Sequence, residues 1–390
     1  MEWQSEVKKL YKNVVLKIPE MVRPVIEPLL FENAEKKCLE RNGKEVAEID
    51  LVIALFEVTP PAFQPTMIED LRALGVDYDL YLPKIKSDFK CNNDLNQMVK
   101  DILKLGKITG VKCNEDALWK GLNAYSKFFT GSPVSIRTTT KPIEKRDVSV
   151  RYVEMMMPHN PDPYITAINE GLIKKNGHPI HKMIVETIET FEILGYGVDL
   201  DARTGLSKIW PFIVPCPIDP IFSMKYIPES MKKYKEYFNK HGLIIFAVFA
   251  FDFTHNTTNI YFMIKNPSTA TPEKCKALVA DLGFDLASDE IMERCCHAAH
   301  LNYTFSWDSN KVERLCFGIA CHDAKDVPTH FHPLIKKYVE ESPFQSEIRK
   351  FIYGITFTPN GLYYKIENDY NATMVDFLFM GSRAGINSYK

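Results

Sequence analysis

From about residue 92 onward, one unit recurs: a helix, then two strands joined by a tight turn. Leu95, Met98, Val99, Ile102 and Leu103 lie on one helical face. Ser135–Thr139 and Val148–Met156 come next as strands around a polar turn. Met183, Ile184, Ile188 and Phe191 mark the next helix, ahead of two strand-like stretches around Asp201-Ala202-Arg203-Thr204-Gly205. The third unit is Met231–Lys240 with Leu243–Phe251 and Thr258–Ile264. The fourth is Pro272–Leu282 with His300–Trp307 and Val312–Ala320, and the fifth is His332–Glu340 with Phe351–Phe357 and Leu362–Ile366. A parallel fold would alternate one strand with one helix, and this chain does not. Five hairpins supply ten mostly antiparallel strands, which form either a very wide open sheet or a closed barrel. Closure removes the edges, and helices can cover an apolar outside. A ten-stranded barrel is wider than the eight-stranded size that side chains just fill, so its lumen is expected to hold a ligand.

The first 75 residues have another rhythm. Lys8–Lys17 reads as a helix, with Ile18-Pro19 after it. Val22, Val25, Ile26, Leu29, Leu30 and Ala34 recur at helical spacing. Pro24 is tolerable in a first turn, whereas Pro28 is expected to strain or kink the helix. Asn42-Gly43 stops that helix, Val46–Leu55 is a further short apolar pattern, and Pro60-Pro61 and Pro65 interrupt the chain beyond it. The expected organisation is a small helical module over 1–75, a linker over 76–91 and the barrel over 92–390. The fold class is α+β.

Charge narrows the partners. Lys and Arg total 48 against 50 Asp and Glu, a formal net charge of -2, so there is no global basic footprint for nucleic acid or an anionic membrane. An anionic ligand must be met by a few local cations. The start, Met1 to Lys9, lacks the apolar core of a signal peptide, and Leu243–Phe251 is too short to span a bilayer as a helix. With nine cysteines and no export signal, the expectation is a cytoplasmic protein with reduced thiols.

Those cations are visible. Arg137, Arg151, Lys208, Arg314 and Lys365 interrupt stretches otherwise read as strand. A single basic residue on a strand usually marks a solvated face. Closure weakens that reading, because an inward Lys or Arg needs an anion or a carboxylate partner. Several converging would clamp a phosphate or diphosphate. Thr257, Asn259 and Tyr261 share one strand face, as do Lys208 with Trp210 and Tyr363 with Lys365. Cations beside aromatic walls suit a ligand with an anionic end and an apolar tail. Cys295-Cys296-His297 with His300 suggests a soft-metal cluster, but the spacing lacks the usual paired pattern, and buried packing is the commoner reading. There is no Gly-x-Gly-x-x-Gly loop, Walker loop or His-Glu-x-x-His motif.

Several strings carry a family likeness: Asp162-Pro163-Tyr164, Gly171-Leu172, Gly177-His178-Pro179, Asn259-Ile260-Tyr261-Phe262, Trp307 with Glu313-Arg314-Leu315-Cys316-Phe317, and Phe351-Ile352-Tyr353-Gly354-Ile355-Thr356 before Tyr363-Tyr364-Lys365. From about residue 90 the chain resembles the soluble aromatic prenyltransferases of the ABBA barrel, the CloQ/NphB-like group. The resemblance implies transfer of a prenyl group, most often dimethylallyl, from its diphosphate to a small electron-rich aromatic acceptor. It implies diphosphate binding by Lys208, Thr257, Asn259, Arg314 and Lys365, to which Arg137 is added by its strand position, with Lys208, Arg314 and Lys365 offsetting the charge of the departing group. Trp210 and Tyr261 become aromatic walls near the prenyl chain. Arg151, His300, Asn302 and Asp369 join them in the acceptor pocket, and Glu367 is a candidate to orient a phenol or take the proton. Arg137 and Arg151 are also candidates to bind an acceptor carboxylate.

Two departures stand out. Some members hold Mg²⁺ with an aspartate on the second barrel strand, where this chain reads Val150-Arg151-Tyr152-Val153. No cofactor is therefore expected to be required, Mg²⁺ included. A tyrosine that some members aim at the diphosphate aligns with Asn302. The N-terminal residues Trp3, Ile18-Pro19, Val22-Arg23 and Glu32-x-Ala34 resemble a small domain called protochlorophyllide-reductase-like (PCP_red), which implies a module and no activity. Partners beyond donor and acceptor are not expected, and the protein is expected to be a monomer. A non-catalytic isoprenoid- or lipid-binding barrel is the main alternative. A metal-dependent hydrolase built on the Cys/His cluster is a second.

Overall fold

The computed structural model describes every residue except 21, 42, 60–62, 79–90, 156–158, 264–269 and 380–390. Asn42, Pro60-Pro61, most of the 76–91 linker, the strand ends at Met156 and Ile264, and the tail from 380 lie outside the described residues. The chain divides into two compact units, Met1–Phe89 with Asp376–Lys390, and Lys90–Val375.

In the first unit, helices Ser5–Lys17, Arg23–Glu40, Glu48–Val58 and Gln64–Ala73 enclose a core that includes Leu10, Leu30, Ala34, Leu51 and Leu55. The helix from Arg23 runs through Pro28 without a break, so the expected disruption does not end it. Short strands β1 (Glu2–Trp3) and β2 (Glu45–Val46) pair in parallel. Arg41 closes this unit's polar interior, its Nε and Nη2 donating to the two oxygens of the buried Asp50 at 2.6 and 2.7 Å.

The second unit contains ten strands: β3 (Val134–Thr139), β4 (Val148–Glu154), β5 (Ile193–Asp201), β6 (Gly205–Pro217), β7 (Ile245–Asp252), β8 (Thr257–Met263), β9 (His300–Ser306), β10 (Arg314–Cys321), β11 (Phe351–Thr358) and β12 (Gly361–Asp369). Each pairs antiparallel with the next, and β12 pairs with β3 to close the barrel. Helices Leu95–Thr109, Ile180–Thr190, Pro272–Ala280 and Pro333–Glu341, and the short pair Glu229–Lys232 and Lys235–Lys240, precede the successive hairpins. The expected repeat is therefore the observed one, with shorter helices such as Glu115–Ala124 and Asp289–Cys295 added between its parts.

Two layers result from the alternation of side chains along each strand. Outward residues such as Ile136, Val150, Phe249, Ile260, Phe305 and Phe317 are fully buried under the helices. Each contributes about 1.5–3 kcal/mol of apolar burial. The inward set is mostly polar, which explains why the strands looked interrupted. The tight turns all lie at one mouth. Gly205, with φ +86°, opens β6 there, in left-handed backbone that favours glycine.

Candidate active site

Register joins the inward side chains across the wall. One lateral line runs Asp369, Ser135, Arg151, Asp199, Lys208, Asp252, Thr257, Ser306 through eight strands. Barrel strands tilt, so this line climbs from the mouth where β12 ends to the mouth of the hairpin turns. A second line joins Tyr363, Thr356, Cys316, Asn302, Tyr261, Val248 and Phe212. A third joins Lys365, Gly354, Gly318 and His300. Asn259 pairs with Thr304, and Thr304 with Arg314. Glu367 pairs with Arg137, and Trp210 comes two residues after Lys208 on the same face. The candidates thus share the inner alternation. The mouth of the turns carries the cations. The inner face toward the other mouth becomes apolar through Val153, Phe212, Val248 and Ile352, all buried.

Their partners sort these cations. Arg137 Nη2 lies 2.9 Å from Asp147 Oδ2 and 3.5 Å from Asp199 Oδ2. Burial opposes its charge, but Asp199 and Asp147 override that and hold it protonated above the ordinary arginine range. Arg151 Nη2 meets Glu367 Oε2 at 2.9 Å, and its guanidinium lies 4.1 Å from the Trp210 ring centre. Lys208 Nζ meets Asp252 Oδ2 at 3.2 Å. Burial opposes ionisation of Asp252, and Lys208 with His255 reverses the balance, holding the carboxyl well below the usual range. Its turn fixes it further, since Thr254 and His255 donate backbone N–H groups to Oδ1. Arg314 donates Nε to Thr304 Oγ1 at 3.3 Å. Among the described residues, Arg314 and Lys365 have no ion-pairing carboxylate, so an incoming anion displaces no carboxylate from them.

Buried polar atoms without a hydrogen bond cluster on the same inner face. Thr257 Oγ1, Asn259 Oδ1, Asn302 Oδ1, Thr356 Oγ1, Trp210 Nε1 and both Asp199 oxygens are buried without a hydrogen bond among the described residues. Buried polar groups are normally satisfied, so such a concentration is what a polar ligand site requires.

Four placements qualify the sequence reading. The Trp210 face carries the Arg151 guanidinium, so it is already engaged. Tyr261 lies 6.0 Å from Trp210 and 5.6 Å from His300 by ring centres, and burial pushes its phenol up to about 12. Asp369 binds backbone: its oxygens accept from the N–H groups of Thr373, Met374 and Val375 at 2.8–2.9 Å. Glu367 Oε1 accepts from Ser135 Oγ at 2.5 Å.

His300 is held neutral. Burial, then Lys365 and Arg151, push it down to about 3. Its ring occupies the ground that Gly318 leaves open, where a Cβ would collide with its Cε1 and Nε2. The Cys/His cluster reads as packing: Cys295 and Cys296 are buried, and the Cys275 and Cys296 sulfurs are 3.9 Å apart. Among the described residues no three His, Cys, Asp or Glu side chains form a metal-binding group.

Sequence reading missed the carboxylates Asp147 and Asp252, which lie beside turns where acidic residues are ordinary, and Asp199, which lies within β5. It also missed Lys141, whose ammonium sits 4.7 Å from the Tyr363 ring centre. Burial lowers the Lys141 pKa, and Arg314 and Lys365 press the same way, which places it in their electrostatic neighbourhood.

Burial also pushes Lys208 and Lys365 below the usual lysine value, partly countered by Asp252 and Cys316 respectively. Raising the pH through those depressed values discharges the clamp. The kcat/KM for an anionic donor is therefore expected to fall on the alkaline side, below the ~10.4 of a free lysine. A bound anion favours the charged form, so the alkaline limb of kcat should lie at higher pH. Profiles of both parameters check this, and coincident limbs would contradict it.

Residues 93–381 match the sequence profile of the family described as aromatic prenyltransferase Orf2. The chain is 28% identical over 278 residues to a 5,10-dihydrophenazine-1-carboxylate 9-dimethylallyltransferase of Streptomyces anulatus, covering 70% of this chain and 92% of that one. It is 22% identical to a flaviolin linalyltransferase of Streptomyces virginiae, covering 67% and 87%. Among solved structures, a 5-dimethylallyl tryptophan synthase from Streptomyces coelicolor aligns with a TM-score of 0.45 and 9% identity over 71% of this chain and 95% of that one.

Proposed function

We propose, starting from a chain that belongs to the aromatic prenyltransferase Orf2 family, that its donor is dimethylallyl diphosphate and its acceptor a small electron-rich aromatic. Prenyl transfer to an aromatic acceptor is the activity of this protein. The donor's length and the acceptor's identity are what is proposed. The observation that carries the reading is the pair Arg314 and Lys365, which lack a carboxylate partner among the described residues, beside Lys208 and the oxygens of Thr257 and Asn259 that accept no hydrogen bond there. A dimethylallyl donor is further supported by the relative from Streptomyces anulatus, whose name specifies that group.

The reaction is electrophilic aromatic substitution. The bond from the allylic carbon to diphosphate oxygen breaks, and Arg314, Lys365 and Lys208 offset the charge that develops on the leaving group. The apolar part of the inner face, Val153, Phe212, Val248 and Ile352, excludes water, which would otherwise capture the allylic cation. Because Trp210 is stacked on Arg151, Tyr261 is the ring left to stabilise that cation by its face. The acceptor ring forms the new bond and loses a proton. Glu367, oriented by Ser135 and Arg151, is the proposed recipient.

The family's Mg²⁺ option does not fit this donor set. The strand that carries the aspartate in some members reads Val150-Arg151-Tyr152-Val153 here, and Arg137 with Asp199 and Asp147 fills the adjoining ground with an ion-paired cluster. The reaction is accordingly proposed to need no metal. The proposal also covers a two-part chain (1–75, linker 76–91, barrel from 92), a monomer in the cytoplasm, and a PCP_red-like first module. The likeness of that module rests on Trp3, which stacks on Phe31 and meets the Tyr11 ring edge-on, and on Ile18-Pro19, Val22-Arg23 and Glu32-x-Ala34.

Incubation with dimethylallyl diphosphate and a panel of phenolic acids, hydroxynaphthalenes, indoles and phenazines, with and without EDTA, tests this. Prenylated product at equal rate in both arms is the expected result. Tight diphosphate binding without product would favour the non-catalytic barrel. Product lost in EDTA and restored by Mg²⁺ would overturn metal independence.

A further inference from the structure

The least explained group in the barrel is Asp199. Its side chain is fully buried, and neither carboxylate oxygen accepts a hydrogen bond among the described residues. The one cation paired with it there, Arg137 Nη2, stands at 3.5 Å and is closer to Asp147. The other inward carboxylates are held: Asp252 by Lys208 and its own turn, and Glu367 by Ser135 and Arg151. A buried carboxylate without donors is costly, and such a group persists where something else supplies them.

Its neighbours define what that is. On the β5 wall Asp199 lies between Arg151 on one side and Lys208 on the other. It therefore stands where the lateral line passes from the Arg151–Glu367 pair to the cation clamp. Three buried N–H donors also lack partners here: Arg137 Nε, Arg151 Nε and Trp210 Nε1, the last two on side chains that stack on each other. Lone acceptors and lone donors thus face one lumen from adjoining strands. An arene without polar substituents satisfies neither set.

We propose that Asp199 is an acceptor-binding residue that receives an N–H or O–H from the aromatic substrate, while Arg151 Nε and Trp210 Nε1 donate to an oxygen that the same substrate carries. The substrate class is an electron-rich aryl amine or phenol bearing a carboxylate or comparable oxygen acceptor. This deepens the reading of the barrel as a prenyltransferase and rests on it. Fixing the ring at the junction of clamp and carboxylate would aim its nucleophilic carbon at the allylic centre without Asp199 touching the donor.

The test is a cycle of Asp199→Asn against an acceptor methylated at its N–H or O–H, measured in the full-length protein. Carboxylated aryl amines and carboxylated phenols form separate arms, which distinguish the two donor types. Asp199→Asn keeps the side chain's shape, and its melting curve reports folding. The expected result is an acceptor KM raised ~10–100-fold, the worth of a hydrogen bond to a charged group, with donor KM within about threefold. Methylation should raise the KM of the unsubstituted enzyme by a similar factor, and the two changes together should do little more than either alone. Additive effects, an acceptor KM that stays put, or a change confined to donor KM would overturn the assignment. Acceptor binding without donor, by calorimetry, separates failures: binding weakened by Asp199→Asn in a protein that forms no product would retain the site and refute the transferase reading.

Discussion

Arg314→Gln is expected to lower kcat/KM for the prenyl donor roughly 10²–10³-fold, the usual effect of deleting one donor aimed at developing negative charge. The reason lies in what Arg314 does not do. It makes one hydrogen bond, to Thr304, and has no ion-pairing carboxylate among the described residues. Its removal strands no anion, so the melting temperature should change little. Diphosphate affinity, measured by calorimetry, should fall with the rate. A loss below tenfold would remove Arg314 from the clamp. Lys365→Gln should behave alike, since that lysine likewise has no ion-pairing carboxylate among the described residues.

Arg137→Leu is expected to fail differently. Arg137 lies on the same inner face and was grouped with the same clamp by sequence, yet its guanidinium is held by Asp147 and Asp199. Deleting one member of a buried pair leaves an uncompensated charge and destabilises by about 3–5 kcal/mol. For a unit of this size that is roughly a 10 °C fall in melting temperature. Residual folded enzyme should keep much of its donor affinity. Adding Asp199→Asn to Arg137→Leu should recover part of the lost stability, because it removes one of the stranded charges. A variant as stable as the parent but blind to diphosphate would return Arg137 to the clamp.

The contrast shows what was readable in the residues. Period-two alternation assigns a side chain to a face, and a lysine or arginine on an otherwise apolar strand announces itself. Arg151, Lys208, Arg314 and Lys365 could therefore be read as inward once closure was inferred. Alternation does not say which residue stands opposite on the neighbouring strand. Register does, and it is fixed by turn lengths and by irregularities such as those between Asp199 and Leu200 on β5. The pairing of Arg137 with Asp199, and of Arg151 with Glu367, was for that reason invisible. Asp369 has the parity of a lumen residue, but it ends its strand, and the backbone of 373–375 claims it. Lys141 was hidden because a lysine in a turn carries no signal at all.

Closure between β12 and β3 has a consequence for how the protein comes to be made. Every other strand contact of the barrel joins neighbours in the chain, whereas this seam joins residues more than two hundred positions apart, Glu367 to Arg137 among them. Long-range pairing is the slow, entropically expensive part of folding. On the ribosome, nine strands must wait with two raw edges until the last one emerges. Ser135, Arg137 and Arg151 meet Glu367 only at that moment, so the acceptor side of the site is the last part of the barrel to exist. A circular permutant opened at an outer turn would move the waiting edge elsewhere and let those four residues meet early.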